Sequence, residues 1–259
     1  MTLSIIVPVY NAAPYLKRCL DSLTASDDVQ VILIDDGSTD DSWSIGLKHF
    51  VMNGFSKAVQ FPKNRGVSAA RNEGMRIATG EFITFLDADD YMTPNGIETM
   101  LCVIKMYGAQ YDLIQFNHYR LKYGEVVTRA SNVHGEFSAE YPPRLFCYVW
   151  NKVYRRQFLE EHGIGFEDGM SYGEDEIFNL ECLKHTGKIF NYEGRTVVHS
   201  YENSDSLSRT VSKESLIYMA DRIADFLKED DLPQGMSAML RRLLVKVWES
   251  NVYKRTFGE

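Results

Sequence analysis

The chain contains few cysteines and no long apolar run, and both absences exclude classes of protein. The cysteines are Cys19, Cys102, Cys147 and Cys182. They are far apart and form no C-x-x-C pair, which argues against a zinc site or a disulfide scaffold and predicts reduced thiols. No apolar stretch approaches the ~18 residues of a membrane span, and the strand-like start LSIIVPVY lacks the features of a signal peptide. We therefore expect a cytoplasmic protein.

An excess of basic residues is also lacking. The 259 residues include 28 Lys and Arg against 36 Asp and Glu, which gives a net charge of −8. The chain as a whole is therefore not expected to bind bulk nucleic acid. The charge is uneven, because Pro233 to Glu259 has five Lys and Arg against two Glu, or +3, which leaves −11 for the rest.

The order of the predicted elements indicates an α/β fold. Over the first 110 residues, short β-branched runs alternate with stretches of helical length, which is typical of a mostly parallel central sheet with helices on both faces. These runs are LSIIVPV, VQVILID, KAVQF and EFITFL. The later part predicts strands in YDLIQFNHY and EVVTRA, a strand pair in KIFNYEG and RTVVHSY, a helix in GEDEIFNLECLKHTG, and two terminal helices. We expect one domain whose second half completes the first.

Three polar motifs follow predicted strands. They are VPVYN (7–11), IDDGSTD (34–40) and LDADD (86–90). In an open parallel sheet, ligands bind in the crevice beyond the carboxyl ends of the strands. We therefore expect the three motifs to converge in space, although tens of residues separate them in sequence.

The third motif places several carboxylates directly after a buried strand. Like charges this close destabilise one another unless a cation shares the site. Residues two apart in an extended segment project to the same side, so Asp87 and Asp89 can face one ligand, and their hard oxygens suit Mg²⁺ or Mn²⁺ with bound phosphate. The alternative is a turn of solvated acids. The placement after a buried strand, beside two other motifs, favours the metal.

The first two motifs offer contacts for a nucleotide base. Asp35 and Asp36 end a predicted strand, and Gly37 permits a sharp exit from it. Either carboxylate can accept a hydrogen bond from a base N–H, or the segment is an Asx-type turn that caps the next helix. Tyr10 and Asn11 are either strand-end packing or a surface on which a base stacks.

Several longer segments together resemble the family 2 glycosyltransferases, which are inverting enzymes of the Rossmann-like GT-A fold. The segments are IIVPVYN, ILIDDGSTDDS, NRGVSAARNEGMRIATGEFITFLDADD, WNKVYRR and YGEDEIFNLECL. They occur in the family's order from about Leu3 to about His199, and the bacterial enzymes of capsule, exopolysaccharide or O-antigen synthesis are most similar. The resemblance implies a nucleotide-sugar-binding half (1–110), an acceptor-binding and catalytic-base half (111–210) and a C-terminal helical extension (211–259).

The resemblance also implies a nucleotide-diphosphate sugar as donor, with a UDP-sugar as the first expectation. The positions that match the family's nucleotide contacts are Pro8, Tyr10, Asp36, Arg71 and Asp87. Asp89 matches the ligand of a divalent metal, Mn²⁺ or Mg²⁺, which would neutralise the charge that grows on the departing diphosphate.

Transfer to an alcohol needs a base that takes the acceptor's proton. A diphosphate leaves without being protonated, so one carboxylate suffices where a glycosidase uses two. The resemblance implies that Asp175 is this base, with Glu174 beside it. The alternative for such an acid pair is N-terminal capping of the following helix.

Three further residues are weaker candidates. Trp150 and Lys152, in VWNKVYRR, line the acceptor site or belong to a solvated helix start. His199 stands where a histidine completes the metal's ligands in some GT-A enzymes, although other members of the family often have tyrosine there. The arginine that usually follows is Glu202 in this chain, which puts the role of that loop in doubt.

The terminal stretch MLRRLLVKVWESNVYKR is amphipathic and basic. One interpretation is peripheral contact with an anionic membrane on its inner face, where lipid-linked acceptors reside. The other is that the stretch packs on the domain or forms a homodimer.

Other classes explain fewer of the motifs. A phospho-receiver domain is about half as long, and its later Thr and Lys landmarks have no counterparts here. A haloacid dehalogenase-type phosphatase usually has Thr or Val where this chain has Tyr91, and a dehydrogenase needs G-x-G-x-x-G where this chain has PVYNAAP. A catalytically inactive, sugar-nucleotide-binding homologue is disfavoured by the presence of Asp87, Asp89 and Asp175. We predict an inverting, metal-dependent glycosyltransferase that acts on a saccharide or lipid-linked acceptor.

Overall fold

Ten strands and eight helices make up the part of the chain that this computed structural model describes. The described residues are 1–53, 57–122, 124–128, 134–136, 148–170, 172–186, 188–200, 212–229, 232 and 236–249. The strands are β1 (Leu3–Val9), β2 (Val29–Asp35), β3 (Lys57–Gln60), β4 (Phe82–Phe85), β5 (Tyr91–Met92), β6 (Leu113–Lys122), β7 (Glu125–Thr128), β8 (Gly135–Glu136), β9 (Lys152–Arg155) and β10 (Ile189–Ser200). The helices are α1 (Ala13–Asp21), α2 (Ser42–Asn53), α3 (Val67–Ile77), α4 (Gly96–Tyr107), α5 (Arg156–Glu161), α6 (Glu174–His185), α7 (Lys213–Phe226) and α8 (Met236–Glu249).

All ten strands join one sheet. Its main path runs β3-β2-β1-β4-β9-β6-β10-β5, with β7 beside β6 and β8 beside β10. Strands β1 to β4 pair in parallel, whereas β9 is antiparallel to both β4 and β6 and β5 is antiparallel to β10. The predicted α/β class is confirmed. The sheet is continuous across the boundary predicted near residue 110, and its later strands are of mixed direction.

The apolar runs form strands because both faces of the sheet are covered. Every residue of β1 and of β2 is buried, as expected for parallel strands between two helical layers. Side chains of β1 alternate between the layers: Ile6 belongs to the core beneath α3, and Ile5 to the core beneath α1 and α4. On the α3 side, α7 and α8 pack through Leu216, Met219 and Leu240. In the described parts of the chain, no helix has both the length and the apolar character needed to cross a membrane.

Two predicted elements differ from the structure. The segment around Lys152 is the strand β9 and not a solvated helix start, because Trp150 and Lys152 are buried and the helix begins only at Arg156. The predicted pair KIFNYEG and RTVVHSY is one strand, β10, with register shifts between Tyr192 and Arg195. The polar residues there form a bulge and not a turn. Cys147, Glu202 and the end of the terminal stretch lie outside the described residues.

Helix α3 approaches β1 closely at Gly74, and we predict that this contact tolerates no side chain. A Cβ at Gly74 would lie 2.3 Å from Cγ2 of Ile6, a buried and conformationally stiff side chain. We expect Gly74→Ala to lower the free energy of unfolding by about 1–3 kcal/mol, measured by urea denaturation.

Gly46→Ala in α2 is the matched control for this prediction. Its Cβ would meet only the end of the Leu33 side chain, at 2.9 Å from Cδ1, and alanine is the better helix former by roughly 0.5–1 kcal/mol. Equal losses of stability in the two variants would contradict the account of the α3–β1 contact.

Candidate functional site

The loops after β1 and β2 are joined to each other at one edge of the sheet. The backbone N–H of Asn11 donates to Oγ of Ser38 at 3.0 Å, and Oδ1 of Asn11 accepts from the backbone N–H of Thr39 at 2.8 Å. Pro8 is buried in β1, and Tyr10 is 48% exposed beside these loops. The edge therefore presents a half-exposed aromatic ring on a hydrogen-bonded support.

Asp36 ties the end of β2 to the start of α3. Its two carboxylate oxygens accept the backbone N–H groups of Arg65 at 2.7 Å and Gly66 at 2.8 Å. The residue is only 3% exposed, and burial raises the pKa of its carboxyl group although the two N–H donors oppose this. Gly37, directly after β2, is also needed here, because its φ is +72° and a Cβ would lie 2.6 Å from the carbonyl carbon of Lys63 in the loop before α3.

Arg71 of α3 is the cation at the centre of the site. It is 2% exposed. Its Nη2 donates to Oδ1 of Asp87 at 2.9 Å, and its Nη1 donates to Oε1 of Glu174 at 3.1 Å and to Oδ1 of Asp175 at 2.7 Å. The guanidinium also lies 5.1 Å from the ring centre of Phe166. Acids that lie up to 104 positions from Arg71 in the sequence thus share its buried positive charge.

Asp175 lies in the first turn of α6 but does not cap it. This helix begins after Gly173 without a side-chain cap, and the two oxygens of Asp175 accept from Arg71 and, at 3.1 Å, from the backbone N–H of Val149. Burial raises the pKa of Asp175 to about 7, Arg71 opposes the rise, and Glu174 adds to it. A carboxyl group with a pKa near neutrality is suited to proton transfer.

The three acids after β4 have different surroundings. Asp87 is bound by Arg71 and keeps 29% of its side chain exposed. Asp89 is half-buried, and its backbone carbonyl accepts from Nη2 of Arg18 at 3.0 Å. Asp90 is fully buried and contacts Nδ1 of His199 at 2.8 Å. Burial raises the pKa of Asp90 to about 7, and His199 opposes the rise.

His199 is held beside this acidic motif by its ring as well as by Asp90. The ring stacks on Trp150, with centroids 4.7 Å apart and an angle of 15° between the planes. Burial alone lowers the pKa of His199, but the Asp90 carboxylate raises it, and the net effect is a raised pKa. Trp150 is 1% exposed, so it supports the histidine as a packed side chain.

The side chains at this edge fit a metal ion that takes most of its ligands from water and phosphate. Within the described residues, no three His, Cys, Asp or Glu side chains form a metal-binding group. Asp89 supplies a hard carboxylate at a half-buried position, and Mg²⁺ in particular is usually held by one or two carboxylates with water and phosphate. His199 has the carboxylate partner that metal-binding histidines commonly have.

Lys152 does not reach the crevice directly in this structure. It is fully buried, and its ammonium donates to the carbonyl of Tyr148 and, at 2.9 Å, to Oδ1 of Asn151. The role in acceptor binding therefore stays a prediction. Two groups beside Asp175 were missed from the sequence, the N–H of Val149 and the amide of Asn179, because a backbone donor and a packed asparagine leave no sequence pattern.

Two curated relatives share most of this chain. An uncharacterized glycosyltransferase, EpsJ of Bacillus subtilis, is 27% identical over 82% of the chain and 64% of its own length. The succinoglycan biosynthesis protein ExoU of Rhizobium meliloti is 29% identical over 92% of the chain and 73% of its own length. The chain thus spans less than two thirds of the length of EpsJ.

Solved structures share the fold at low sequence identity. S. aureus TarS in complex with UDP-GlcNAc superposes with a TM-score of 0.82 at 21% identity, covering 99% of this chain and 74% of that one. The mannosyltransferase PcManGT of Pyrobaculum calidifontis, in complex with GDP-Man and Mn²⁺, gives 0.69 at 15% identity, covering 96% and 70%. The likeness to TarS confirms the GT-A fold expected from the sequence.

The family itself is shown by sequence. The family model described as "Glycosyl transferase family 2" matches residues 4–163, more than half of the chain. The matched range includes the polar strand ends and Arg71, and it ends before α6. The chain belongs to glycosyl transferase family 2.

Proposed function

We propose that this protein is an inverting glycosyltransferase that moves a sugar from a UDP-sugar to a hydroxyl group of a saccharide or lipid-linked acceptor. The observation that carries the proposal is the shared guanidinium of Arg71, which joins Asp87 of the acidic motif to Asp175 of α6. A donor-binding carboxylate and a candidate base are thereby held in one site, as a displacement reaction requires.

The edge formed by β1, β2 and β4 binds the nucleotide in this proposal. Tyr10 offers its half-exposed ring to the base, Pro8 and Asp36 line the same edge, and Asp87 receives the ribose. Asp36 acts there partly by holding the turn before α3. TarS, which has the same fold, was solved with UDP and with UDP-GlcNAc, and this favours uridine as the nucleoside.

Asp175 is the general base of the proposed reaction. Its carboxylate takes the proton of the acceptor hydroxyl while the hydroxyl oxygen forms the new bond to the anomeric carbon and the diphosphate leaves from the opposite face. A single displacement of this kind inverts the anomeric configuration and needs no enzyme nucleophile. The pKa of about 7 leaves a substantial ionised fraction at neutral pH.

A divalent cation, Mn²⁺ or Mg²⁺, completes the proposed site. When bound, it neutralises charge on the leaving diphosphate. Asp89 would hold it, and His199, oriented by Asp90 through Nδ1, is the second candidate ligand. The Mn²⁺ in the structure of PcManGT supports this choice of ion.

We place the reaction in surface polysaccharide synthesis, since the relative ExoU is named for succinoglycan biosynthesis. In α8, Arg241, Arg242 and Val245 are exposed, and the opposite face packs on the domain. This exposed face supports peripheral contact with an anionic membrane, with homodimer formation as the competing proposal.

Replacement of the base should damage turnover and spare donor binding. We expect Asp175→Asn to lower kcat by ~10²- to 10⁴-fold, because the amide cannot take a proton, while the Kd for UDP changes little. Asp36→Ala should chiefly weaken UDP binding. Rates with the best donor found in a nucleotide-sugar screen, UDP titration calorimetry and the anomeric configuration of the product are the measurements.

Two outcomes would overturn this mechanism: near-normal turnover by Asp175→Asn, or a product with retained configuration. A wild-type chain that binds UDP-sugars but neither hydrolyses nor transfers them would instead identify an inactive, sugar-nucleotide-binding homologue.

The metal assignment predicts that nucleotide binding depends on Asp89. Asp89→Ala removes a hard ligand, so we expect Mn²⁺ to strengthen UDP binding in the wild type and to do so much less in the variant, as measured by calorimetry with Mn²⁺ and with EDTA. Glu73→Ala, on the outer side of α3, is the control because its carboxylate pairs with Arg76. Identical Mn²⁺ dependence in wild type and Asp89→Ala would disprove the assignment.

Arg71 should set the pH at which the base becomes active. Its positive charge lowers the pKa of Asp175, so removing the charge raises that pKa and moves the acid limb of kcat to higher pH, by about one to three pH units. We expect this for Arg71→Gln and a smaller shift for Arg71→Lys. Arg76→Gln, on the exposed side of the same helix, should leave the limb in place; an unshifted limb in Arg71→Gln would contradict the coupling.

A further inference from the structure

We infer that Lys152 and Asn179 are positioning residues for Asp175 and that they act through the peptide unit between Tyr148 and Val149. The inference rests on the proposed role of Asp175 as the base. It assigns to Lys152 a function behind the carboxylate, away from the acceptor.

The peptide unit contacts the carboxylate of Asp175 directly. Its N–H, from Val149, donates to Oδ2 of Asp175 at 3.1 Å. Its carbonyl, from Tyr148, points the opposite way, because a trans peptide is planar and places the C=O and N–H groups antiparallel. Any group that holds the carbonyl therefore also fixes the direction in which the N–H points.

Two buried side chains hold that carbonyl. The ammonium of Lys152 and Nδ2 of Asn179, the latter at 3.3 Å, both donate to the oxygen of Tyr148. Both residues have no exposed surface. A lysine is rarely buried completely, since desolvation of the ammonium is costly. The hydrogen bonds that this ammonium donates include those to the Tyr148 carbonyl and to Oδ1 of Asn151.

Asn179 connects the same peptide unit to the helix that carries the base. Besides Tyr148, its Nδ2 donates to the backbone carbonyl of Asp175 at 2.8 Å. Its Oδ1 accepts from the hydroxyl of Tyr154 at 2.8 Å, which fixes the orientation of the amide. One side chain thus sets the distance between the first turn of α6 and the peptide unit that the carboxylate of Asp175 contacts.

The ammonium has an electrostatic effect as well as a geometric one. A cation on a carbonyl oxygen polarises the peptide and makes its N–H a stronger donor, which favours ionised Asp175. The other charges that face this carboxylate are Arg71, which lowers its pKa, and Glu174 and Asp87, which raise it. Burial raises the pKa of Glu176, the next residue, to about 8, and Lys152 opposes that rise.

The decisive experiment is Lys152→Met, which keeps the length of the side chain and removes the donor. We expect kcat to fall roughly tenfold or more, where each tenfold is ~1.4 kcal/mol of barrier, and the acid limb of kcat to move to higher pH. The Kd for UDP should stay within about twofold of wild type, because the described hydrogen bonds of Lys152 go to Tyr148 and Asn151, and neither is a proposed donor contact.

Arg155→Met is the matched control. Arg155 lies in the same strand, and its guanidinium also donates to backbone carbonyls, of Gly108 and, at 2.9 Å, of Tyr111. Among the described residues, its hydrogen bonds go neither to Asp175 nor to Tyr148. Its loss can therefore lower stability but should leave kcat per folded molecule and the pH profile unchanged.

Asn179→Ala removes the second hydrogen bond to the Tyr148 carbonyl, and it tests the inference if Lys152→Met does not fold. It should shift kcat and the acid limb in the same direction, whereas a purely structural role would lower only the melting temperature. Variants that fold, bind UDP and keep wild-type kcat and pH profile would overturn the inference. If these variants behave as wild type but Asp175→Asn is inactive, only the positioning inference fails and the proposed base stands. If Asp175→Asn is active, the proposed function itself fails.

Discussion

The site depends on one buried guanidinium. Arg71 pairs with three carboxylates, one after β4 and two at the start of α6, and neither side of this arrangement is stable alone. A buried cation is costly without partners, and acids this close repel one another without a cation. The salt-bridged cluster therefore ties the nucleotide-type first half to the helix that brings the candidate base.

The rest of the fold places that guanidinium. The end of β2 holds the turn before α3 through Asp36, and Gly74 lets α3 lie against β1. On the other side, the peptide before Val149 and the stacked Trp150 arise from the segment that enters β9. Arg71 is thus fixed by the first half and its partner Asp175 by the second, so the geometry of the candidate base depends on both.

The sequence predicted the parts of this site that local patterns encode. Strand ends, the paired acids at Asp87 and Asp89 and the start of α6 all follow from apolar runs and the polar residues next to them. It did not predict β9, because a buried strand that contains Asn151 and Lys152 has the composition of a solvated segment. It also could not pair Asp90 with His199 across 109 positions, since neither residue's neighbours indicate the contact.

The division of partners around Asp175 has a consequence for the order of events. One oxygen of Asp175 accepts from Arg71, which also donates to Asp87, and the other accepts from the backbone N–H of Val149. A donor ribose that hydrogen-bonds to Asp87 would compete with Arg71 for that carboxylate and leave more of the guanidinium to Asp175. In the proposed reaction, donor binding would therefore strengthen the pairing of Arg71 with Asp175 and favour the ionised form of Asp175, because a cation lowers the pKa of a neighbouring carboxyl group. The N–H of Val149 would still hold the other oxygen. The proposed base would then be ionised to the greatest extent when a sugar donor is bound.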